Sequence, residues 1–239
     1  MDDIGCARFE PRSWDEFQRN LLAIGSEEHD YKTLVIDTAD WVEMILHRAI
    51  CEKFGKETLS DFDWGQGNAK AAKAWQWIVG TIQDTLDRKG MGCVVLAHAR
   101  LEKFTSPEGP SYDRWVPDLA DGTKGTPGAR SLLIEWADEV FFGKYKEYSA
   151  QVDTKGKQGR AIGVGSGDRV VFTSERPNHI AKRHIEMPDE LTFPKENGFA
   201  VYRSYWPTGQ QQQAAPSVAS GDINGIVIDG HSKRKEAAT

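Results

Sequence analysis

Two residues stand where chemistry would be placed if the chain folds around buried strands. Asp37 closes the apolar run Thr33-Leu34-Val35-Ile36, and His98 closes Cys93-Val94-Val95-Leu96-Ala97. A carboxylate at the end of an apolar strand, followed by a hydroxyl (here Thr38), can orient a magnesium ion against nucleotide phosphates. It can equally be a strand giving way to a capped helix, because so short a motif has many innocent occurrences. An imidazole at a strand end can donate to a terminal phosphate and pass its presence to the segment that follows, or it can be a hydrogen-bonded structural residue. Beyond His98, the cations Arg100, Lys103 and Arg114 alternate with the aromatics Phe104, Tyr112 and Trp115. That mixture suits phosphates and stacked bases, and also an ordinary solvated loop. Lys182 and Arg183, in Ala-Lys-Arg-His, are cations of a kind that reaches a phosphate or simply lies on the surface. Gly163-Val164-Gly165-Ser166-Gly167 lacks a following Lys-Ser/Thr and helix, so it reads as a hairpin turn rather than a phosphate loop. Neither an HExxH pattern nor the order of a Ser/His/Asp triad is present.

The elements that must position Asp37 and His98 follow from periodicity. Ser13-Trp14-Asp15-Glu16 is a capping box opening a helix to about Ile24. Thr33–Asp37 reads as a buried strand, after which Thr38 caps a helix with Trp41, Ile45, Leu46 and Ala49 at helical spacing. Residues Asn68 to Lys89 form a longer helix presenting Ala71, Ala74, Trp75, Ile78, Ile82 and Leu86, stopped by Gly90 as a left-handed cap. Cys93–His98 is the second strand. Two strands apolar at every position and separated by helices predict a parallel sheet covered on both faces, with its ligand beyond the carboxyl ends. From Ala99 to Thr126 the chain is polar and rich in Gly and Pro, and reads as a long functional loop. A helix is expected from Pro127 to Ala137, a strand over Glu139–Phe142, a hairpin tip over Lys155–Gly167 and its returning strand over Arg169–Thr173. Glu186 to Glu190 reads as a turn. Residues 209–239 open with four glutamines and are too polar to offset their ordering entropy, so the reading is an ordered core over 1–208 and a disordered tail.

The chain has 239 residues, 30 Lys+Arg against 36 Asp+Glu for a net charge of −6, and 39% hydrophobic residues; its mean hydropathy is −0.56 and its pI about 5.6. Such acidity argues against wholesale coating of nucleic acid while leaving room for a local basic site. No apolar run is long enough to span a bilayer, the N-terminus lacks the pattern of a secretory leader, and three widely spaced cysteines make neither a disulfide framework nor a zinc site. The expectation is a cytoplasmic protein without membrane partners.

Taken in order, these pieces resemble the phage RecA-like nucleotide-binding proteins, AAA-type ATPases of phage recombination modules associated with single-strand annealing. The likeness runs through Trp14-Asp15-Glu16-Phe17, the ten residues His29 to Thr38, Lys89 to His98, Glu135 to Val140, Ala181 to His184 and Met187 to Leu191. It covers most of the first 206 or so residues. It implies an α/β, RecA-like P-loop core with a mostly parallel central sheet flanked by helices, followed by a C-terminal β-hairpin region. ATP and Mg²⁺ would be the ligands, and single-stranded DNA and further copies of the chain the partners. In that frame Asp37 is the magnesium carboxylate, His98 the sensor, and Asp37, Thr38, His98, Lys182 and Arg183 line the nucleotide. Arg100, Lys103, Phe104, Tyr112, Arg114 and Trp115 belong to a DNA-facing loop over 99–121. One departure is large: no GxxxxGK(S/T) loop occurs. The expectation is therefore a chain lacking its first strand, phosphate loop, first helix and water-activating acid, unable to hydrolyse ATP alone and exposing an unpaired part of its sheet. Two other readings remain: a non-catalytic DNA-binding or oligomer-forming module on the same scaffold, and an unrelated α/β enzyme using Asp37 and His98 on a small molecule.

Overall fold

Residues 6–123, 125–154 and 157–207 are described by a computed structural model. The elements below belong to one unit, Met1–Tyr205. The expected tail over 209–239 and the very tip of the hairpin, residues 155–156, lie outside the described residues.

Helix α1 (Trp14–Ser26) begins where the sequence asks it to, because the Ser13 hydroxyl accepts the Glu16 N–H at 3.3 Å. The reciprocal bond of a capping box goes elsewhere: the Glu16 carboxylate takes the Arg12 N–H at 2.7 Å. Strand β1 (Thr33–Asp37) leads directly into α2 (Ala39–Phe54), whose N-cap Thr38 makes no side-chain cap bond. The buried stripe of α2 is Val42, Ile45, Leu46 and Ile50; Trp41, expected among them, is 54% exposed because it falls one position off that stripe. After two short 3₁₀ turns, α3 (Gln66–Lys89) runs as the longest helix and buries Ala71, Trp75, Ile78 and Ile82. Gly90 ends it at φ 60°, ψ 42°, a left-handed conformation that costs other residues a Cβ clash.

Strand β2 (Gly92–Leu96) pairs with β1 in parallel, from Thr33 opposite Gly92 to Asp37 opposite Leu96. Helices α1, α2 and α3 pack with the inner face of this pair: Ile36 joins Phe17, Leu21, Val42, Ile45, Leu46, Trp75, Ile78 and Ile82 in one core, flanked by Leu34, Cys93 and Val95. The outer face is open. Val35, Val94 and Leu96 are 53%, 45% and 44% exposed. The strands are therefore not covered on both faces as their unbroken apolar runs predict; alternate residues meet helices and the others meet solvent. The Cys93 thiol, pushed up to about 11 by burial, is inert at neutral pH, and Cys6 and Cys51 are also free.

The remaining sheets are small and antiparallel, so the mixed α/β class holds while the mostly parallel central sheet is replaced by one parallel pair among the described residues. The stretch read as a long loop is a hairpin, β3 (Ala99–Phe104) with β4 (Tyr112–Pro117). A two-residue pair follows, β5 (Gly122–Thr123) and β6 (Thr126–Pro127), and then α4 (Ala129–Trp136). Gly122 and Gly128 lie so close that a Cβ on either would come within 2.3 Å of backbone of the other. Expected strand 139–142 is reduced to a bridge between Val140 and Lys182, and the strand proper is β7 (Phe142–Thr154), paired with β8 (Lys157–Phe172), whose other edge pairs with β9 (Glu190–Phe193). Gly163 to Gly167 lie within β8 rather than in a turn. Phe142, Phe172, His179 and Trp115 stack beneath this sheet, with ring centroids 4.6–6.1 Å apart. A short α5 (Gly198–Arg203) ends the described fold. Among the described residues, no helix is long and apolar enough to cross a membrane.

Ile78 is fully buried at the centre of the helical core. Ile78→Ala is expected to cost about 2–5 kcal/mol in urea unfolding; a loss below about 1 kcal/mol would show that α3 does not organise this layer.

Candidate functional site

The parallel register puts Asp37 and the end of β2 at the same edge of the sheet, and His98 stands two residues beyond Leu96. Both residues are exposed. A third group, from the first turn of α2, holds His98 at that edge. Asp40 accepts the His98 backbone N–H at 3.1 Å and its Nδ1–H at 2.9 Å. Burial works to raise the Asp40 pKa, but the hydrogen bonds from His98, then those of Thr38 and its own backbone, together outweigh it, and the carboxyl sits below its ordinary 3.8. The His98 pKa is raised, first by the hydrogen bond to Asp40 and then by the negative charges of Asp40, Asp118 and Asp37. The imidazole therefore stands in a field of three carboxylates drawn from α2, β1 and the segment after β4.

That segment is strapped down at both ends. Asp118 N–H donates to the His98 carbonyl at 2.7 Å, and Ala120 N–H donates to the Glu43 carboxylate at 3.0 and 3.3 Å. Glu43 lies one turn after Asp40 on α2 and is 9% exposed; burial raises its pKa, and the Ala120 bond offsets only part of this. A cavity of about 170 Å³ opens beside it, lined among others by His47, Asn68, Trp75 and Asp121. Burial lowers the His47 pKa and keeps the ring neutral. His47 Nε2 and Trp75 Nε1 are buried without a hydrogen-bond partner. Asp37 and His98 do not line this cavity; their edge is an open surface.

The six residues expected to face DNA do not share one face. Antiparallel partners lie on the same side, so Arg100, Glu102, Phe104, Tyr112 and Arg114 share one face of the hairpin, while Lys103 and Trp115 lie on the other. On the first face, the Arg114 guanidinium sits 5.5 Å from the Phe104 ring, which is 5.2 Å from that of Tyr112. Arg114 is also paired with Glu175. Arg100 bridges Asp118 at 3.3 Å and Glu102 at 3.1 Å, and Arg130 continues the chain of charges to Glu102 and Asp121. Trp115 stacks on Phe142 and belongs to the second core. Lys182 and Arg183 have intrachain partners. Lys182 Nζ donates to the Ile134 and Glu135 carbonyls at the C-terminal end of α4, where carbonyls lack helical partners. Arg183 donates to Asp189 at 2.8 Å and to the Thr173 hydroxyl at 3.3 Å.

Asp40, Glu43 and Asp118 escape the sequence reading. An acid in the first turn of a helix is ordinary, since it meets the helix dipole, so Asp40 carries no distinguishing mark until His98 is brought to it, and Glu43, one turn later, carries none until Ala120 is brought to it. For a magnesium ion the donor set is sparse but apt. Mg²⁺ is commonly held by one or two carboxylates together with phosphate oxygens and water. Asp37 is an exposed carboxylate of the kind such a site uses, and among the described residues no group of three or more His, Cys, Asp or Glu side chains is placed to hold a metal ion.

Glu43 gives this region a signature in pH. Its folded pKa is raised, so the folded state holds its proton more tightly than the unfolded one, and stability falls as pH rises from the unfolded value of 4.5 through the folded value. Glu43→Gln keeps an acceptor for Ala120 and removes the buried charge. Its melting temperature should exceed that of the parent at pH 8, with the difference vanishing below pH 4; equal melting at both pH values would remove Glu43 from this account.

A family model described as AAA domain matches residues 1–185, a span that includes β1, β2, the Asp37–Asp40–His98 constellation, both hairpins and the Lys182–Arg183 pair. Neither a curated protein nor a solved structure matches the chain. AAA domains are nucleotide-binding, ATPase-like domains that generally bind ATP with Mg²⁺, in keeping with a carboxylate and an imidazole at the carboxyl edge of a parallel strand pair. This chain belongs to the AAA domain family.

Proposed function

We propose that this chain supplies the metal-and-sensor side of an ATP site in a RecA-like phage protein that acts on single-stranded DNA during recombination or annealing. The observation that carries the reading is the parallel register of β1 and β2, which brings Asp37 and His98 to one edge of the sheet. Asp37 is the magnesium carboxylate, Thr38 lies beside it, and His98 meets the terminal phosphate. Bound Mg²⁺ neutralises charge on the phosphate oxygens. Asp37 orients it, and His98 converts the presence of phosphate into a state of the segment 118–120, whose first amide it holds. Lys182 and Arg183 serve a neighbouring copy's nucleotide in a homo-oligomer, which requires them to exchange their carbonyl and Asp189 partners for phosphate.

Within these 239 residues no GxxxxGK(S/T) cradle accompanies the metal side. Backbone amides and a lysine of that kind supply most of the electrostatic hold on phosphates. Calorimetry of ATP–Mg²⁺ against the chain should accordingly show no isotherm saturating below millimolar concentration. Micromolar saturation would overturn this division of labour.

The DNA-facing role falls to the Arg100–Phe104–Tyr112–Arg114 face of the β3–β4 hairpin, and Lys103 lies on the opposite face. A hairpin that neutralises phosphates releases counterions, and the logarithm of affinity for a single strand falls by about 0.7 per phosphate contact for each decade of salt. Fluorescence anisotropy with a labelled oligonucleotide should show that slope, reduced by about one contact in Arg100→Ala and unchanged in Lys103→Ala. An affinity indifferent to salt would refute the hairpin's part. DNA binding that persists with no nucleotide dependence in any oligomer would instead favour a non-catalytic DNA-binding module on the same scaffold.

A further inference from the structure

We propose that Asp40 is the positioning residue of the His98 sensor: it fixes the rotamer and tautomer of the imidazole so that Nε2 is the nitrogen offered to a phosphate oxygen. This deepens the reading of His98 as a phosphate sensor and rests on it.

The argument starts from what a carboxylate can do. It only accepts hydrogen bonds, so both contacts to Asp40 are donated by His98, the backbone N–H to Oδ1 at 3.1 Å and the ring Nδ1–H to Oδ2 at 2.9 Å. Two donors from one residue into one carboxylate leave the ring a single orientation. The tautomer is set with it, because the nitrogen that donates must carry the proton. Asp40 is the sheltered partner, with 24% of its side chain exposed, whereas the His98 side chain is 74% exposed. The ring is thus held at its base and free at its tip. Asp40 itself is fixed by its place in the first turn of α2, where the helix N-terminus favours negative charge.

The groups around the ring decide what the tip offers. Asp40 on α2, Asp37 at the end of β1 and Asp118 after β4 all face it with negative charge, and Arg100 on β3 is engaged with Asp118. With Nδ1 already protonated, Nε2 carries a hydrogen only when the ring holds a second proton, and three carboxylates favour that form. Imidazolium then offers Nε2–H to an anionic oxygen. The neutral ring offers a lone pair and repels the same oxygen. Without Asp40, the ring would be free to place its proton on either nitrogen and to turn away from the strand end.

Asp40→Asn tests this with little change of shape. An amide can keep one acceptor for the His98 backbone N–H, and its NH₂ then meets Nδ1, which must become the acceptor. The same exchange beneath a catalytic histidine elsewhere leaves geometry intact and imposes the wrong tautomer. In ¹⁵N-histidine-labelled full chain, above the pH at which the ring titrates, His98 should show the Nδ1–H signature, and Asp40→Asn should lose it in favour of Nε2–H. Asp40→Ala, with folding checked by circular dichroism, should also lose it. An unchanged tautomer in both variants would overturn the proposal. Magnesium pyrophosphate added to the parent separates the two claims: a shift at Nε2 is expected. Signals unmoved at millimolar concentration, with the tautomer still dependent on Asp40, would overturn the phosphate-sensing role and leave the positioning in place.

Discussion

Five backbone pairings, Thr33 with Gly92 through Asp37 with Leu96, hold β1 and β2 in parallel, and the arrangement of functional groups depends on that register. Parallel strands cannot be joined by a tight turn, so the chain between them must cross over, and here it does so as α2 and α3. The crossover helices supply the core that holds the strands together, and α2 begins two residues after Asp37, which puts Asp40 next to the strand end. Slipping the register by one residue would invert one strand's faces, exposing Val95 and burying Leu96. It would also move His98 relative to Asp40. Packing of Ile36 and Val95 toward the helices and placement of the strand-end chemistry are thus one constraint.

From this edge, structure propagates through bonds to backbone groups, one of them accepted by the buried Glu43 carboxylate. The His98 carbonyl holds Asp118, Glu43 holds Ala120, and the close approach of Gly122 to Gly128 closes the segment against the start of α4. Salt bridges run alongside, from Asp118 through Arg100 and Glu102 to Arg130 and Asp121. The exposed links in that chain contribute little to stability, whereas the buried Arg130 needs both of its carboxylates because an unpaired buried charge is costly. The bonds made by Asp118 and Ala120 join the His98 backbone to the segment after β4 and, through Ala120 and Glu43, to the lining of the cavity beside Trp75. The open outer face of β1 and β2, carrying Val35, Val94 and Leu96, stands in contrast, since parallel strands are ordinarily covered on both sides.

Much of the helical layer was legible in the residues. Ser13 caps α1, Ala71, Trp75, Ile78 and Ile82 form the buried stripe of α3, and Gly90 stops it, because caps and stripes are set by bonds and spacings within a few residues. Trp41 was misread for the same reason in reverse: helical spacing names a set of faces, and only the neighbours choose which one is buried. The β3–β4 hairpin was hidden by its polar character, since an exposed hairpin lacks the apolar alternation that announces a strand. Lys182 gave no sign that it would meet carbonyls 48 residues earlier in the chain, at the end of α4.

The sequence by itself determined that a carboxylate at 37 ends the first strand and that an imidazole at 98 follows the second, which stops two residues earlier than read, at Leu96, together with the local signals that start and stop the helices between them. Tertiary structure alone decided that these ends lie on one edge, that Asp40 grips His98 across 58 residues of chain, and that the hairpin's cations divide between two faces. Propensity and periodicity are short-range properties written into neighbouring residues. Pairing across a crossover depends on the path of the whole chain, which is fixed only when the helices bury their apolar stripes against one side of the strand pair.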